Sequence, residues 1–477
     1  MRLLVSLLLA TLAQAQERPL FYGLLHAHTY FSDGSGTPEQ AFARAKSKGL
    51  DFFGISEHNH KDAEQGATPD RADHILIANI TQLYEANGTV QIQRLGRTVT
   101  VKSVRLAARD ATSPSFVALY GQEFSSISKG NHVNVFQPDR VLTVPNGDFH
   151  GLYDHLAGLT PVPVVQMNHP DFHADLFYQG QNPDTKRNMF NDYGLDDYGQ
   201  DFSALVQETG RFVSLIEVLS GPAMKKARVP DFHYDALEND YYYYLVQGFH
   251  ISPTAGHDNH YETWGDATDA RTGVYADGLT AAQLLDAFRQ NRTFATEDKD
   301  LKLEFSINGQ PMGSVLQLPA DTDLVIKVNV ADPSDGIANT EVTLVRGQVA
   351  PQKSGTLQKL IANDGIADSG IIGPAGSLEL RGLVASGDPE FFYIKAVESD
   401  GDRAWSAPIW INHPRIGGTA SPIPAFSWTR NPQSTVYHRS KCKSVRQIKP
   451  ENLVQGDQPP AGRTLHNCVL VESEDPH

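Results

Sequence analysis

Seven short apolar runs, set apart from one another between residues 20 and 255, constrain the fold more than any other feature of the chain. They are Leu20–Leu25, Asp51–Ile55, Phe116–Tyr120, Val133–Phe136, Val162–Met167, Val213–Val218 and Ser252–Ala255. Runs this short read as buried strands, and helical patterns lie between them. Thr37-Pro38-Glu39-Gln40 is a capping box with proline at the first helical position; it opens a helix with Ala41, Phe42 and Ala45 on one face, stopped by Gly49. Thr280-Ala281-Ala282-Gln283 repeats the signal ahead of Leu284, Leu285 and Phe288, and Ala72–Ala86, Phe202–Glu208 and Ala236–Gln247 also fit helices. Strands alternating with helices predict parallel pairing through crossovers. The expectation is a barrel-like α/β fold, with an open doubly wound sheet as the alternative. Asn87 to Ala111 carries polar alternation such as Thr98-Val99-Thr100-Val101 and predicts an inserted hairpin.

After Asp300 the period changes. Leu301, Leu303, Phe305 and Ile307 alternate with polar residues, as do Leu324, Ile326, Val328 and Val330. Strands without helices predict a β-sandwich over 301–413. Residues 414–477 form a linker and a small basic module. Residues 16–300 are then the α/β unit, and 1–15 a separate leader: Met1-Arg2, an apolar stretch from Leu3 to Leu12, and Ala13-Gln14-Ala15 predict a signal peptide cleaved after Ala15 and a secreted or periplasmic protein. No later apolar stretch approaches the ~18–20 residues of a membrane span.

Composition narrows the function. The formal net charge of −16 argues against general nucleic-acid binding, which requires a basic surface. Export permits disulfides, yet the sequence has two cysteines, Cys442 and Cys468, both in the tail. A Cys442–Cys468 disulfide is the simpler reading; a His₂Cys₂ zinc site with His438 and His466 is the alternative. No G-x-S-x-G motif accompanies the strands, so nothing points to a serine or cysteine nucleophile.

Metal chemistry is what the strand ends offer. The first run closes on His26-Ala27-His28, whose alternate side chains point the same way in an extended segment. Ser32-Asp33-Gly34 then reads as a turn that folds a carboxylate back over them. The second run ends in Glu57-His58, the third in Glu123 with His132 following, the fifth in Asn168-His169-Pro170, and the last in His257-Asp258-Asn259-His260. In an α/β barrel the C-terminal strand ends share one rim, so these residues converge. Six histidines (His26, His28, His58, His132, His169, His260) and three carboxylates (Asp33, Glu123, Asp258) exceed the needs of one ion. With one carboxylate bridging they would serve two or three divalent ions, Mn²⁺, Zn²⁺ or Fe²⁺ for an imidazole and carboxylate donor set.

In their order along the chain these motifs resemble those of the PHP (polymerase and histidinol phosphatase) family, over Phe21 to Glu297. The resemblance implies a distorted (β/α)7 barrel, a metal cluster that is usually trinuclear, and phosphoester hydrolysis. Carried over by position, His26, His28, Glu123 and Asp258 would hold one ion. Glu123 would bridge to a second held by His132 and His169, and Asp33, His58 and His260 would hold a third. Glu57 stands where many members have aspartate and would orient a neighbouring histidine.

Two bridged cations lower the pKa of a water between them toward neutrality, and the resulting hydroxide would attack phosphorus. His173, His257 and His60 are candidates to protonate the leaving group, and His173 and His257 are taken forward as catalytic. Glu217 is taken as a residue that supports the ligands from behind, a substrate contact or a barrel cap. Lys129, Arg187, Lys225, Lys226 and Arg228 are loop cations that phosphate would attract. The substrate is expected to be a small-molecule ester. The Glu123…His132 spacing with an appended β-domain also resembles PHP-type enzymes that cleave carbamates, so carbamate or amide-type chemistry stays open. A non-catalytic binding protein with a structural metal cluster is the third reading.

Overall fold

The computed structural model describes residues 18–58, 88–94, 97–124, 132–138, 148–170, 192–230, 237–334, 339–353, 360–373 and 376–416. It also describes short pieces between these blocks and strands at 426–429, 436–439, 453–456 and 464–465. The leader, the helix expected at Ala72–Ala86, and His60, Lys129, His173, Arg187, Cys442, His466 and Cys468 lie outside the described residues.

The apolar runs form strands: β1 (Leu20–Leu24), β2 (Phe52–His58), then β3 (Thr89–Arg94) and β4 (Arg97–Lys102), β5 (Val117–Phe124), β6 (Val133–Phe136), β7 (Val164–Met167), β8 (Val213–Ser220) and β9 (Ser252–Gly256). Helices α1 (Pro38–Ser47), α2 (Val104–Ala111), α3 (Phe149–Ala157), α4 (Phe202–Thr209), α5 (Glu238–Val246) and α6 (Ala281–Arg289) lie between and after them. Thr37 and Thr280 cap α1 and α6 as their sequences predict, each accepting the N–H of the glutamine three residues on. The hairpin expected over Asn87–Ala111 is shorter. β3 and β4 pair from Thr89↔Lys102 to Arg94↔Arg97, and Ser103 then caps α2, whose Val104, Ala107 and Ala108 pack inward.

Seven strands follow one another in a curled sheet, β1-β2-β5-β6-β7-β8-β9. β1, β2 and β5 are parallel, as are β7, β8 and β9, but β6 is antiparallel to both neighbours. The all-parallel expectation fails there for a simple reason: the link from Phe124 to Val133 is shorter than the dozen or so residues a parallel crossover needs. The sheet is also a half-barrel rather than a closed ring. β9 returns beside β1 through one isolated parallel bridge, Ala27↔Asn259, with the His28 N–H donating to Asn259 O at 2.8 Å.

Beyond β1 the sheet continues through antiparallel β10 (Arg271–Tyr275) and β11 (Thr293–Thr296). A second layer holds β12 (Lys302–Ile307), β13 (Gln310–Pro311), β15 (Asp323–Ala331) and β18 (Ser377–Val384). It faces strands that extend the first sheet: β14 (Val315–Leu316), β16 (Thr340–Gln348), β17 (Ile366–Ile372), β19 (Glu390–Val397), β20 (Arg403–Ser406) and β21 (Ile409–Ile411). Every second residue points between the layers: Leu303, Phe305 and Ile307; Leu324, Ile326, Val328 and Val330; Phe392, Ile394 and Ala396. The strands at 426–429, 436–439, 453–456 and 464–465 form a small separate sheet.

Candidate metal centre

Strand direction decides which residues reach the rim. His26 and His28 follow β1, Glu57 and His58 end β2, and Glu123 is the penultimate residue of β5. His132 precedes its own strand, yet β6 runs antiparallel to β5, so its start lies beside the end of β5 in the register Phe124↔Val133. His169 follows β7, and Asp258 and His260 follow β9. His169 and Asp258 adopt positive φ, 30° and 46°, a backbone region that side chains other than glycine rarely occupy. Such strain gathers at sites where function requires it.

Four side chains meet at one point. The Nε2 atoms of His26 and His28 are 3.3 Å apart and stand 3.2 and 3.1 Å from the same Asp258 oxygen. Glu123 completes the group, with one oxygen 3.2 Å from His26 and the other 3.2 Å from His28. Ligands held at ~2.1 Å by one ion in tetrahedral or octahedral geometry stand ~3.0–3.4 Å apart. All five separations fall in that range, so the residues fit a divalent ion.

Two further groups adjoin the first. His58 Nδ1 lies 3.0 Å from Glu123 Oε2, and His132 Nδ1 lies 3.0 Å from Glu123 Oε1, with His169 Nε2 at 3.4 Å from that oxygen. Asp33 Oδ1 is 3.2 Å from His260 Nε2, 3.7 Å from His58 Nε2 and 3.9 Å from His28 Nδ1. His58 therefore stands between two groups. A neutral imidazole has one free lone pair, and the nearer claim on it is that of Glu123 and His132.

A buried polar layer aims these ligands. His26 Nδ1 donates to Glu217 Oε1 at 2.8 Å, which turns the lone pair of Nε2 inward. The other Glu217 oxygen accepts the His169 N–H at 2.8 Å. Glu217 thus touches two of the candidate ligand residues, the place of a residue that orients a ligand from behind it. Asn168 donates to Glu123 Oε1 at 2.8 Å, Gln166 to Asn168 at 3.0 Å, and Thr254 to Gln166 at 3.0 Å. Glu57 contacts no histidine among its hydrogen-bond partners. It accepts from the Thr29 N–H and from the hydroxyls of Thr29 and Ser32, and the Ser32 hydroxyl lies 3.5 Å from His28 Nδ1. Gln166, Asn168 and Thr254 were not among the predicted site residues; the signal for Gln166 is a polar residue inside an otherwise apolar strand, and Asn168 stands next to His169 in the motif that ends the fifth run.

The turn after His28 is compact. Ser32 and Gly34 donate their N–H groups to Thr29 O at 3.1 and 2.9 Å, and a Cβ on Gly34 would lie 2.6 Å from His28 O. Only glycine lets the loop fold back so that Asp33 reaches the rim.

Electrostatics follow the geometry. Burial disfavours charge on His28, yet hydrogen bonds to Asp258 and Glu123 outweigh it and raise the imidazole to about 10. Burial works the same way on His26, and the charges of Glu217, Glu123 and Asp258 overcome it and hold it well above its usual range. Glu123 is pulled well below its usual range against burial, chiefly by His26, His58 and His132. Asp33 is lowered in the same way by His58 and His260. Burial depresses His58 to about 3. The carboxylates thus draw positive charge to His26 and His28, the charge a bound cation would supply.

His257 faces another neighbour: its Nε2 lies 2.9 Å from the Thr268 hydroxyl, and burial and Arg271 depress it to about 3. Of the loop cations, Arg228 is committed to Asp269 at 2.6 Å, and Lys226 lies 4.9 Å over the ring of Tyr261, next to His260.

No family model matches the sequence. An uncharacterised protein of Chlamydia trachomatis is 25% identical over 156 residues, 30% of this chain; the match spans 24% of that relative's own length. Among solved structures, a two-domain protein of Bacteroides vulgatus containing a predicted PHP-like metal-dependent phosphoesterase aligns over 83% of this chain and 95% of its own, at 13% identity and a TM-score of 0.36. The soluble domain of PmoD from Methylocystis aligns over 24% of this chain and 90% of its own, at 7% identity and a TM-score of 0.17.

Proposed function

We propose that the chain is an exported metal-dependent hydrolase whose substrates are small phosphate esters. The observation that carries this reading is the convergence of His26, His28, Glu123 and Asp258 at separations of 3.1–3.3 Å, those of ligands sharing one ion. These four would hold the first ion. Glu123, His58, His132 and His169 would hold a second, and Asp33 with His260 a third. Bound divalent ions supply Lewis-acid charge and bring the pKa of water from ~16 toward neutrality.

The chain's own residues do the rest. Glu217 fixes the ring of His26, Asn168 fixes Glu123, and Ser32 with Glu57 steadies His28. His26, His28 and Glu123 are sealed from solvent, whereas the side chains of Asp33, His169, Asp258 and His58 are 35%, 27%, 21% and 19% exposed. Substrate therefore approaches across that second set. Among the described loop cations, Lys226, which lies over the ring of Tyr261, is the one assigned to meet a phosphate there.

The test is turnover of p-nitrophenyl phosphate, bis-p-nitrophenyl phosphate and a p-nitrophenyl carbamate by protein loaded with Mn²⁺ or Zn²⁺, set against His28→Ala. Phosphoester turnover lost in the variant supports the reading. Carbamate turnover alone transfers it to carbonyl chemistry, and no turnover of any ester sinks the enzyme reading in favour of a binding protein.

A further inference from the structure

A cavity of about 790 Å³ opens at the end of the half-barrel away from the histidine ligands, between the entry to β1, the close of α6 and the outer face of β12 and β15. Arg18 lines it and precedes β1, whereas His26 and His28 follow that strand. At a strand rise of ~3.3 Å per residue, Arg18 stands roughly 25 Å from His26. The volume is that of a pocket for a small organic molecule rather than a lone ion. Met312 and Val315 add apolar surface to its wall.

Four cations face this space against one carboxylate: Arg18, Arg292, Lys327 on β15 and Arg415 after β21, against Glu304 on β12. Glu304 already accepts from the Asn329 amide at 3.0 Å. Lys327 meets Glu379 at 3.6 Å, and Arg18 meets Asp277 at 2.8 Å through Nε. The other two arginines are not cancelled in this way. Arg415 donates to Gly313 O at 2.6 Å, to Gln290 O at 3.2 Å and to the side-chain oxygen of Asn291, all of them neutral, and no described carboxylate pairs with it. Arg292 stands 3.7 and 3.8 Å from Asp277 and Asp286, beyond hydrogen-bond reach, and its Nη1 makes no hydrogen bond among the described residues. The arginines also feel one another. Burial, then Arg18, holds Arg292 below its usual range, and burial, then Arg292, depresses Arg415 to about 10. Like charges gathered on a partly desolvated wall are costly, and an anion among them removes the cost.

We propose that this cavity binds a small organic anion through a carboxylate or phosphate group held by Arg18 and Arg292, at a site separate from the histidine centre. Guanidinium groups carry paired N–H donors that match either oxyanion. Arg415, whose donors are taken by carbonyls, supplies charge from behind. The ligand would touch β10 and α6 neighbours on one side and β12 and β15 on the other, and so bridge the half-barrel and the second β layer.

The experiment is calorimetric titration of EDTA-treated full-length protein with phenyl phosphate and with benzoate, with phenol as the uncharged control. Native protein should bind at least one of the two anions and not phenol, and the tighter of the two identifies the charged group. Arg292→Gln should weaken binding about tenfold, the worth of one charge-assisted hydrogen bond. Arg18→Gln, changed at the molecule's margin where folding is not at stake, should weaken it in the same direction. His28→Ala should bind as native protein does. Three results overturn the proposal: no binding of either anion at millimolar concentration, equal affinity in native protein and both arginine variants, or binding that disappears in His28→Ala and so belongs to the histidine centre.

Discussion

Replacing Glu217 by glutamine tests whether the centre binds metal through an aimed histidine. The carboxylate accepts two hydrogen bonds of 2.8 Å, one from His26 Nδ1 and one from the His169 N–H. Glutamine keeps the shape but has a single oxygen, so one of these donors must face an NH₂ group. Losing a hydrogen bond to a charged acceptor costs about 1.5–3 kcal/mol. Partners of this kind change metal affinity 10–100-fold, about 1.4–2.8 kcal/mol, so the two routes to the magnitude agree. The expected outcome is a Kd for Mn²⁺ raised 10–100-fold, with kcat recovered to within a few-fold once metal saturates. Metal-stripped protein titrated with Mn²⁺, with bound metal counted by mass spectrometry, measures the affinity, and exposed Glu341→Gln on β16 is the control. Native affinity in Glu217→Gln refutes the aiming role. Unchanged affinity with a loss of kcat that saturating metal does not restore would make Glu217 a substrate contact instead.

Asp33→Ala should remove one equivalent of bound metal and leave the ion held by His26, His28, Glu123 and Asp258, which metal analysis after dialysis would show. Gly256→Ala would place a Cβ 1.9 Å from Glu217 Oε1 and 3.2 Å from the His26 Cβ, so it should destabilise by about 1–3 kcal/mol and weaken metal binding as Glu217→Gln does. Lys226→Ala should raise KM for phosphate esters several-fold with metal content unchanged. His250 and His413 stack at 4.5 Å, and burial depresses both, so the pair is neutral in the fold. Between the unfolded value of about 6.5 and the lower folded values the unfolded chain binds more protons. Stability from this pair is therefore present above pH ~6.5 and lost as pH falls, and His250→Gln should flatten the melting temperature between pH 7 and 5.

The convergence of the histidine and carboxylate motifs was legible because their information is local. His26 and His28 sit two apart on an extended segment, and strand ends in such a sheet share a rim. What the sequence hid was non-local or directional. The strand beginning at Val133 could be counted, but its reversal lay in a link too short for a crossover, a length that had to be weighed against the repeating α/β pattern. Glu217 could be picked out at the end of its run, but that it holds the ring of His26 follows only from the curl that brings the end of β8 to the rim His26 reaches. For His257 the sequence offered a candidate proton donor, and only the fold shows that its Nε2 meets the Thr268 hydroxyl. The helix at Val104–Ala111 was absorbed into the hairpin before it, although Ser103 and the apolar spacing at 104, 107 and 108 marked its start.

The pairing of β11 with β20 bears on how the molecule comes apart. Phe294, Ala295 and Thr296 are laddered to Ser406, Trp405 and Ala404, and one apolar cluster joins Tyr241 and Tyr244 to Phe391, Tyr393, Trp405 and Trp410. A cut near residue 300 would leave β11 as an open edge and strip the aromatic face of α5. Neither half is then an independent folding unit, and heat should melt both in one cooperative transition. A gene fragment ending at the close of the half-barrel would be expected to yield aggregates, so the β layers travel with the histidine and carboxylate cluster as a condition of its folding.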